Sequence, residues 1–178
     1  MSQNYSFLQS NTTNAENNSA SHYYMTPTST GYIVGSGDNI NQNTYTFVDW
    51  LWKAGGGTGV SNSDGSRTST VSANTTAGCS IVNYTGNTTA GATVGHGLGV
   101  APDVIIFKNR DITSDWHMYH SARANANNTL MYLNTTSAGG GSAGFLNNTN
   151  PSSTVITLGT SAGTNGSSTD CMIAYCFA

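Results

Sequence analysis

The chain has 178 residues, of which only 7% are charged, and a formal net charge of −3 at pH 7. Soluble domains usually carry roughly 25% charged residues, so this scarcity removes both the basic footprint of a nucleic-acid binder and the acidic composition of a disordered tail. No apolar run reaches the ~18 residues that would span a bilayer as a helix, and Asn, Thr, Ser and Gly fill the places that charges vacate.

The opening, MSQNYSFLQSNTTN, has neither the basic n-region nor the apolar h-region of a secretory signal peptide. An extracellular role would then need release by lysis or removal of a leader. Short apolar runs follow, each bounded by Gly, Asn, Ser or Pro, which is the pattern of strands closed by turns. Within residues 1–52 these are Tyr5–Leu8, His22–Met25, Tyr32–Val34 and Tyr45–Trp52. Residues 53–78 carry three consecutive glycines and an Asp64-Gly65 step between Val60 and Val71. Asp-Gly between strand-like runs signals a hairpin, here one that projects from the chain, and a plain Gly/Ser linker is the alternative.

Residues 79–178 supply Ser80–Tyr84, Thr93–His96, Asp103–Lys108, Trp116–His120, Leu130–Leu133, Gly144–Leu146, Val155–Leu158 and Cys171–Phe177. Ser121–Asn128 has room for one helical turn. Spacings of roughly 10–15 residues, with no long 3.6-residue period, predict an all-β protein: an antiparallel β-sandwich, jelly-roll-like, preceded by a β-rich half-module. Cys171, Ile173, Tyr175 and Phe177 alternate with Met172, Ala174 and Cys176. Both faces of that strand are apolar, so it should be central and covered on both sides. Cys79, Cys171 and Cys176 are odd in number and without metal-ligand spacing, and are expected as buried free thiols.

The chain also repeats itself. PTSTGYIVG at 27–35 aligns without a gap on PSSTVITLG at 151–159, a shift of about 124 residues. Asn11-Thr12-Thr13 matches Asn134-Thr135-Thr136, and Phe47–Trp52 matches Met172–Phe177, the shift drifting by about one residue on either side. Residues 1–52 therefore read as the C-terminal half of a repeated β module, 53–78 as a connector or hairpin, and 79–178 as one complete module.

Candidate chemistry is sparse. VGHGLGVAPD at 94–103 is rich in glycine but leads into a strand, VIIF, so no helix N-terminus stands ready for a phosphate. His96 is expected as a structural hydrogen-bonder at this glycine corner. His117 and His120, three apart on one strand, face opposite sides and cannot share a metal. Asp111 and Asp115 lie among polar neighbours, whereas a glycosidase acid needs an apolar pocket to raise its pKa. The Asn-x-Ser/Thr sequons follow from the composition. No catalytic, cofactor-binding or metal residue is expected. Tyr45, Phe47, Trp50, Trp52, Trp116, Tyr119, Tyr175 and Phe177 are the candidates for packing and assembly.

VGHGLGVAPDVIIFKNRD, then DWHMYHS at 115–121, YLNTT at 132–136 and IAYCF at 173–177 resemble a module of marine tailed-phage, cyanophage-like, virion structural and tail-fibre proteins. The resemblance covers nearly all of 79–178, and in that family such modules occur in tandem. It implies a non-enzymatic virion protein, a self-assembling subunit of a tail fibre, appendage or capsid-attached decoration, located in the virion or outside the cell. The implied partners are copies of itself and other virion proteins, with neither nucleic acid nor membrane insertion. A glycan-binding host-adhesion module and a cellular extracellular filament are the alternatives. The exposed half-module should cover itself either on the full module or by adding a strand to a neighbouring copy, giving a homo-oligomer.

Overall fold

The last strand organises the molecule. In the computed structural model, which describes residues 6–18 and 25–178, it pairs antiparallel on both edges. One partner runs Cys79–Thr85 and the other Val104–Asn109. In chain order the strands are β1 (Met25–Pro27), β2 (Tyr32–Val34), β3 (Val60–Asn62), β4 (Ser69–Asn74), β5 (Cys79–Thr85), β6 (Thr93–Gly95) and β7 (Val104–Asn109). Then come β8 (His117–His120), β9 (Thr129–Tyr132), β10 (Gly140–Gly141), β11 (Val155–Thr157) and β12 (Cys171–Phe177). Two one-turn helices, α1 (Asp38–Asn41) and α2 (Ala143–Leu146), interrupt them. The fold is all-β and sandwich-like. An eight-stranded antiparallel sheet, ordered β10-β9-β8-β7-β12-β5-β4-β3, forms one layer.

β12 is central because both of its faces are apolar. Met172, Ala174 and Cys176 have no exposed surface, and Ile173 on the other face is 9% exposed. The period of two aims Val82, Tyr84, Ile105, Phe107 and Tyr119 into the same core. The second layer is the β6–β11 pair, which brings Val94 opposite Ile156, together with α2. Phe145 of α2 meets Phe107 edge to face at 5.9 Å. Each such fully buried side chain stabilises the fold by about 1.5–3 kcal/mol.

Gly144–Leu146 was expected as a strand and is instead the helical turn α2, closed by Asn147 in the left-handed conformation with its N–H on the Ala143 carbonyl. Phe145 and Leu146 are both fully buried, whereas a strand would send neighbours to opposite faces. Ser121–Asn128 does hold one short 3-10 turn, Ala126–Asn128. Tyr5 and His22 to Tyr24 lie outside the described residues, so the strands expected at Tyr5–Leu8 and His22–Met25 are seen only as a bridge at Phe7 and as the start of β1 at Met25.

Residues 60–74 form a hairpin that does not project. β3 pairs with β4 at Val60–Val71, and β4 continues onto β5, so the hairpin is the outer edge of the main sheet. The sheet thus runs across the expected boundary at 78/79. The Gly78 carbonyl accepts the Ala178 N–H at 2.8 Å, which joins the start of β5 to the end of β12.

The outer face of the sheet is covered in part by an arm, residues 6–18. Lys108 points to that face with no exposed surface. Its ammonium donates to the Thr13 carbonyl at 3.1 Å and the Ser114 carbonyl at 2.7 Å. Glu16 pairs with Arg110, and Trp116 donates its indole N–H to the Gln9 carbonyl at 2.9 Å while stacking on Tyr175.

Candidate functional site

The eight aromatic residues picked from the sequence divide into two sets. Tyr119 is a core residue at 4% exposure, and Trp116 at 5% lies under the arm against half-buried Tyr175. These three hold the module together. Tyr45 (63% exposed), Phe47 (41%), Trp50 (73%) and Trp52 (59%) lie on the surface, joined by Val48 and Leu51. Phe177 connects the sets, meeting Trp52 edge to face at 5.6 Å. Trp52 in turn lies 6.1 Å from Trp50.

Tyr45–Trp52 was expected as a strand, but this segment carries no sheet pairing among the described residues. Its side chains have strand character, yet a strand needs a neighbour to accept its backbone hydrogen bonds. The segment is held at both ends. Tyr45 N–H reaches the Gln42 carbonyl after α1, and the Lys53 carbonyl accepts from Asn74 Nδ2 at 3.0 Å and Cys79 Sγ at 3.4 Å. Between these anchors, the Tyr32 hydroxyl donates to the Asp49 carboxylate. Aromatic side chains carry 150–250 Å² each, and monomers seldom expose contiguous apolar patches beyond a few hundred Å². This strip is the candidate assembly surface.

The polar groups that come together elsewhere hold loops. Asn109 donates to the Ala162 carbonyl at 3.0 Å and to Asp170 at 2.9 Å. Hydrogen bonds from Ser167 and then Asn109 hold the Asp170 carboxyl below its ordinary pKa. Asn165 clamps Thr89 and Gly159 through its amide, and Tyr84 donates to the Thr164 carbonyl at 2.5 Å. Burial pushes the Tyr84 phenol pKa up. Sequence reasoning passed over Asn109, Asn165 and Asp170, because in so Asn-rich a chain nothing marks these positions out.

His96 acts as expected at the glycine corner: Nε2 lies 3.1 Å from the Ser152 carbonyl and Nδ1 accepts the Leu98 N–H. Gly97 and Gly99 beside it have positive φ, which a side chain would strain. His117 and His120 face opposite ways, His117 inward at 8% exposure with Nδ1 unpaired. Burial lowers its pKa to about 4. Asp111 accepts the Cys171 N–H at 2.6 Å and Asp115 the Asn134 amide at 2.9 Å. Among the described residues no three His, Cys, Asp or Glu side chains gather as metal ligands. Cys79 and Cys176 are buried thiols, but Cys171, expected inside, is exposed because it begins β12 at the rim of the sheet.

A family model described as a domain of unknown function, DUF7483, matches residues 3–178. The chain belongs to that family. The match to DUF7483 takes in the arm, the exposed strip and the module in one span. No curated protein and no solved structure matches the chain.

Proposed function

We propose that this member of DUF7483 is a non-enzymatic structural protein of a tailed-phage particle, which assembles with modules of its own kind into a tail fibre, an appendage or a capsid-attached decoration. The observation that carries the reading is the strip Tyr45–Trp52, an aromatic surface left open beside a finished core. The resemblance of residues 94–177 to tandem-module phage proteins adds to it. So does the employment of the motif's own residues: His96, Trp116, Tyr119 and Tyr175 build the frame or seat the arm. With so few charges, neighbouring modules have little repulsion to overcome when they pack.

The test is to purify particles of the phage that encodes this sequence. Peptide mass spectrometry should find the chain in fixed stoichiometry with the capsid or tail proteins, and gold-labelled antibody should mark one place on the particle. Presence in the lysate with absence from washed particles refutes the proposal.

A further inference from the structure

The internal repeat extends to individual hydrogen bonds. Phe7 and Asn17 form an antiparallel bridge, and the matching Leu130 and Gly140 pair antiparallel in β9–β10. Thr28 N–H donates to the Gly31 carbonyl at 2.8 Å while Gly31 N–H returns to Thr28 Oγ1 at 3.0 Å. Ser152 and Val155 do the same at 2.9 and 3.0 Å. Next, Asn41 N–H meets the Gly37 carbonyl and Asn41 Nδ2 the Gly35 carbonyl. Asn165 repeats both, with Ser161 and Gly159. Last, Tyr45 N–H to the Gln42 carbonyl recurs as Asp170 N–H to the Ser167 carbonyl.

After this last shared bond the second copy enters β12, the strand bonded on both edges by β5 and β7. The first copy enters Phe47–Trp52 and meets no strand among the described residues. We propose that Phe47–Trp52 is a strand donor whose seat is the central slot between two antiparallel strands of the β5 and β7 kind, the N-terminal half of another module of this family. It stands apart from the virion reading, since the slot can be filled or not whatever particle the protein serves.

The side chains fit that seat. Phe47 and Leu51 fall at Met172 and Cys176, which are fully buried, while Val48, Trp50 and Trp52 fall at Ile173, Tyr175 and Phe177 on the outer face. One position departs. Asp49 stands where Ala174 stands, and its partner Tyr32 stands where Ile156 stands. Ala174 and Ile156 are both wholly buried, so the first copy replaces an apolar pair with a hydrogen-bonded one, leaving the carboxylate with a donor where it would otherwise be unpaired. In a second copy of this chain the slot already holds β12, so the seat belongs to a module whose slot is open.

The experiment adds a duplicate of residues 79–128 ahead of the full chain. Hydrogen exchange read by mass spectrometry should show the amides of 47–52, open in the present chain, slowed by at least about a hundredfold. Acrylamide quenching of Trp50 and Trp52 should fall with it. Asp49→Ala in the extended chain should deepen the protection, since the duplicate offers an Ala174-type slot. Val82→Asp with Phe107→Asp in the duplicate alone should abolish it while the original module melts unchanged. Amides at 47–52 that stay open with either Asp49 or Ala at that position overturn the proposal. Protection that appears in the unextended chain as its concentration rises overturns it too, by making a second copy the occupant.

Discussion

Acid should loosen this protein through one histidine. His117 lies on the inner face of β8, its ring edge-on to Tyr132 at 5.4 Å and to Phe145 at 6.3 Å, with Nδ1 unpaired. Burial, opposed in part by Asp115, lowers its pKa to about 4 from 6.5 in the unfolded chain. A depressed histidine pKa means that the unfolded chain binds the proton more readily. The stability contributed by neutral His117 is therefore full above pH 6.5 and is lost as pH falls towards 4. Between about pH 7.5 and 4.5 the loss works out at roughly 2–3 kcal/mol. Urea unfolding followed by tryptophan fluorescence at the two pH values measures it. His117→Phe, which keeps a ring and removes the proton site, should take most of that difference away. Any packing cost of the larger ring cancels when each variant is compared with itself across pH. His96 also titrates low through burial, so a smaller acid response should persist in the variant. If His117→Phe retains the full pH dependence, the assignment to His117 is wrong.

Phe107→Ala, which empties the centre of the core opposite Phe145, should cost about 3–5 kcal/mol in urea unfolding. Gly159→Ala would put a methyl group 2.1 Å from the Gly144 carbonyl oxygen; displacement of that turn should cost about 1–3 kcal/mol and lower the melting temperature seen by calorimetry. Thiol titration should find one reactive cysteine in the native protein, Cys171, and three after unfolding, because Cys176 is enclosed with its pKa pushed up to about 12 and Cys79 is buried. Labelling of Cys176 in the native state would show that β12 is not the covered centre of the sheet.

How far the sequence could be read depended on whether a residue's role was local. β12 was legible as a doubly covered strand because its residues are apolar at both parities, and β5 and β7 were legible as strands because short apolar runs lie there between turn residues. Gly144–Leu146 was not, since three apolar residues satisfy a strand and a helical turn equally well. Tyr45–Trp52 shows a different limit. Its pattern encodes the capacity to be a strand, whereas pairing depends on a partner elsewhere, here one that the described residues do not supply. The aromatic candidates were visible as a set, but their division into frame and surface followed from the docking of the arm through Lys108 and Trp116. Asn109 and Asn165 stayed hidden because an amide that clamps a loop looks like any other Asn in such a chain.

The clasp between Gly78 and Ala178 gathers distant stretches of the chain at one corner of the sheet. Since β5 starts where β12 finishes, and Lys53 is tied to Cys79 and Asn74 beside them, a pull on the main chain at residue 53 or at residue 178 is carried by the β5–β12 seam, a seam in the interior of the sheet, before it reaches either edge.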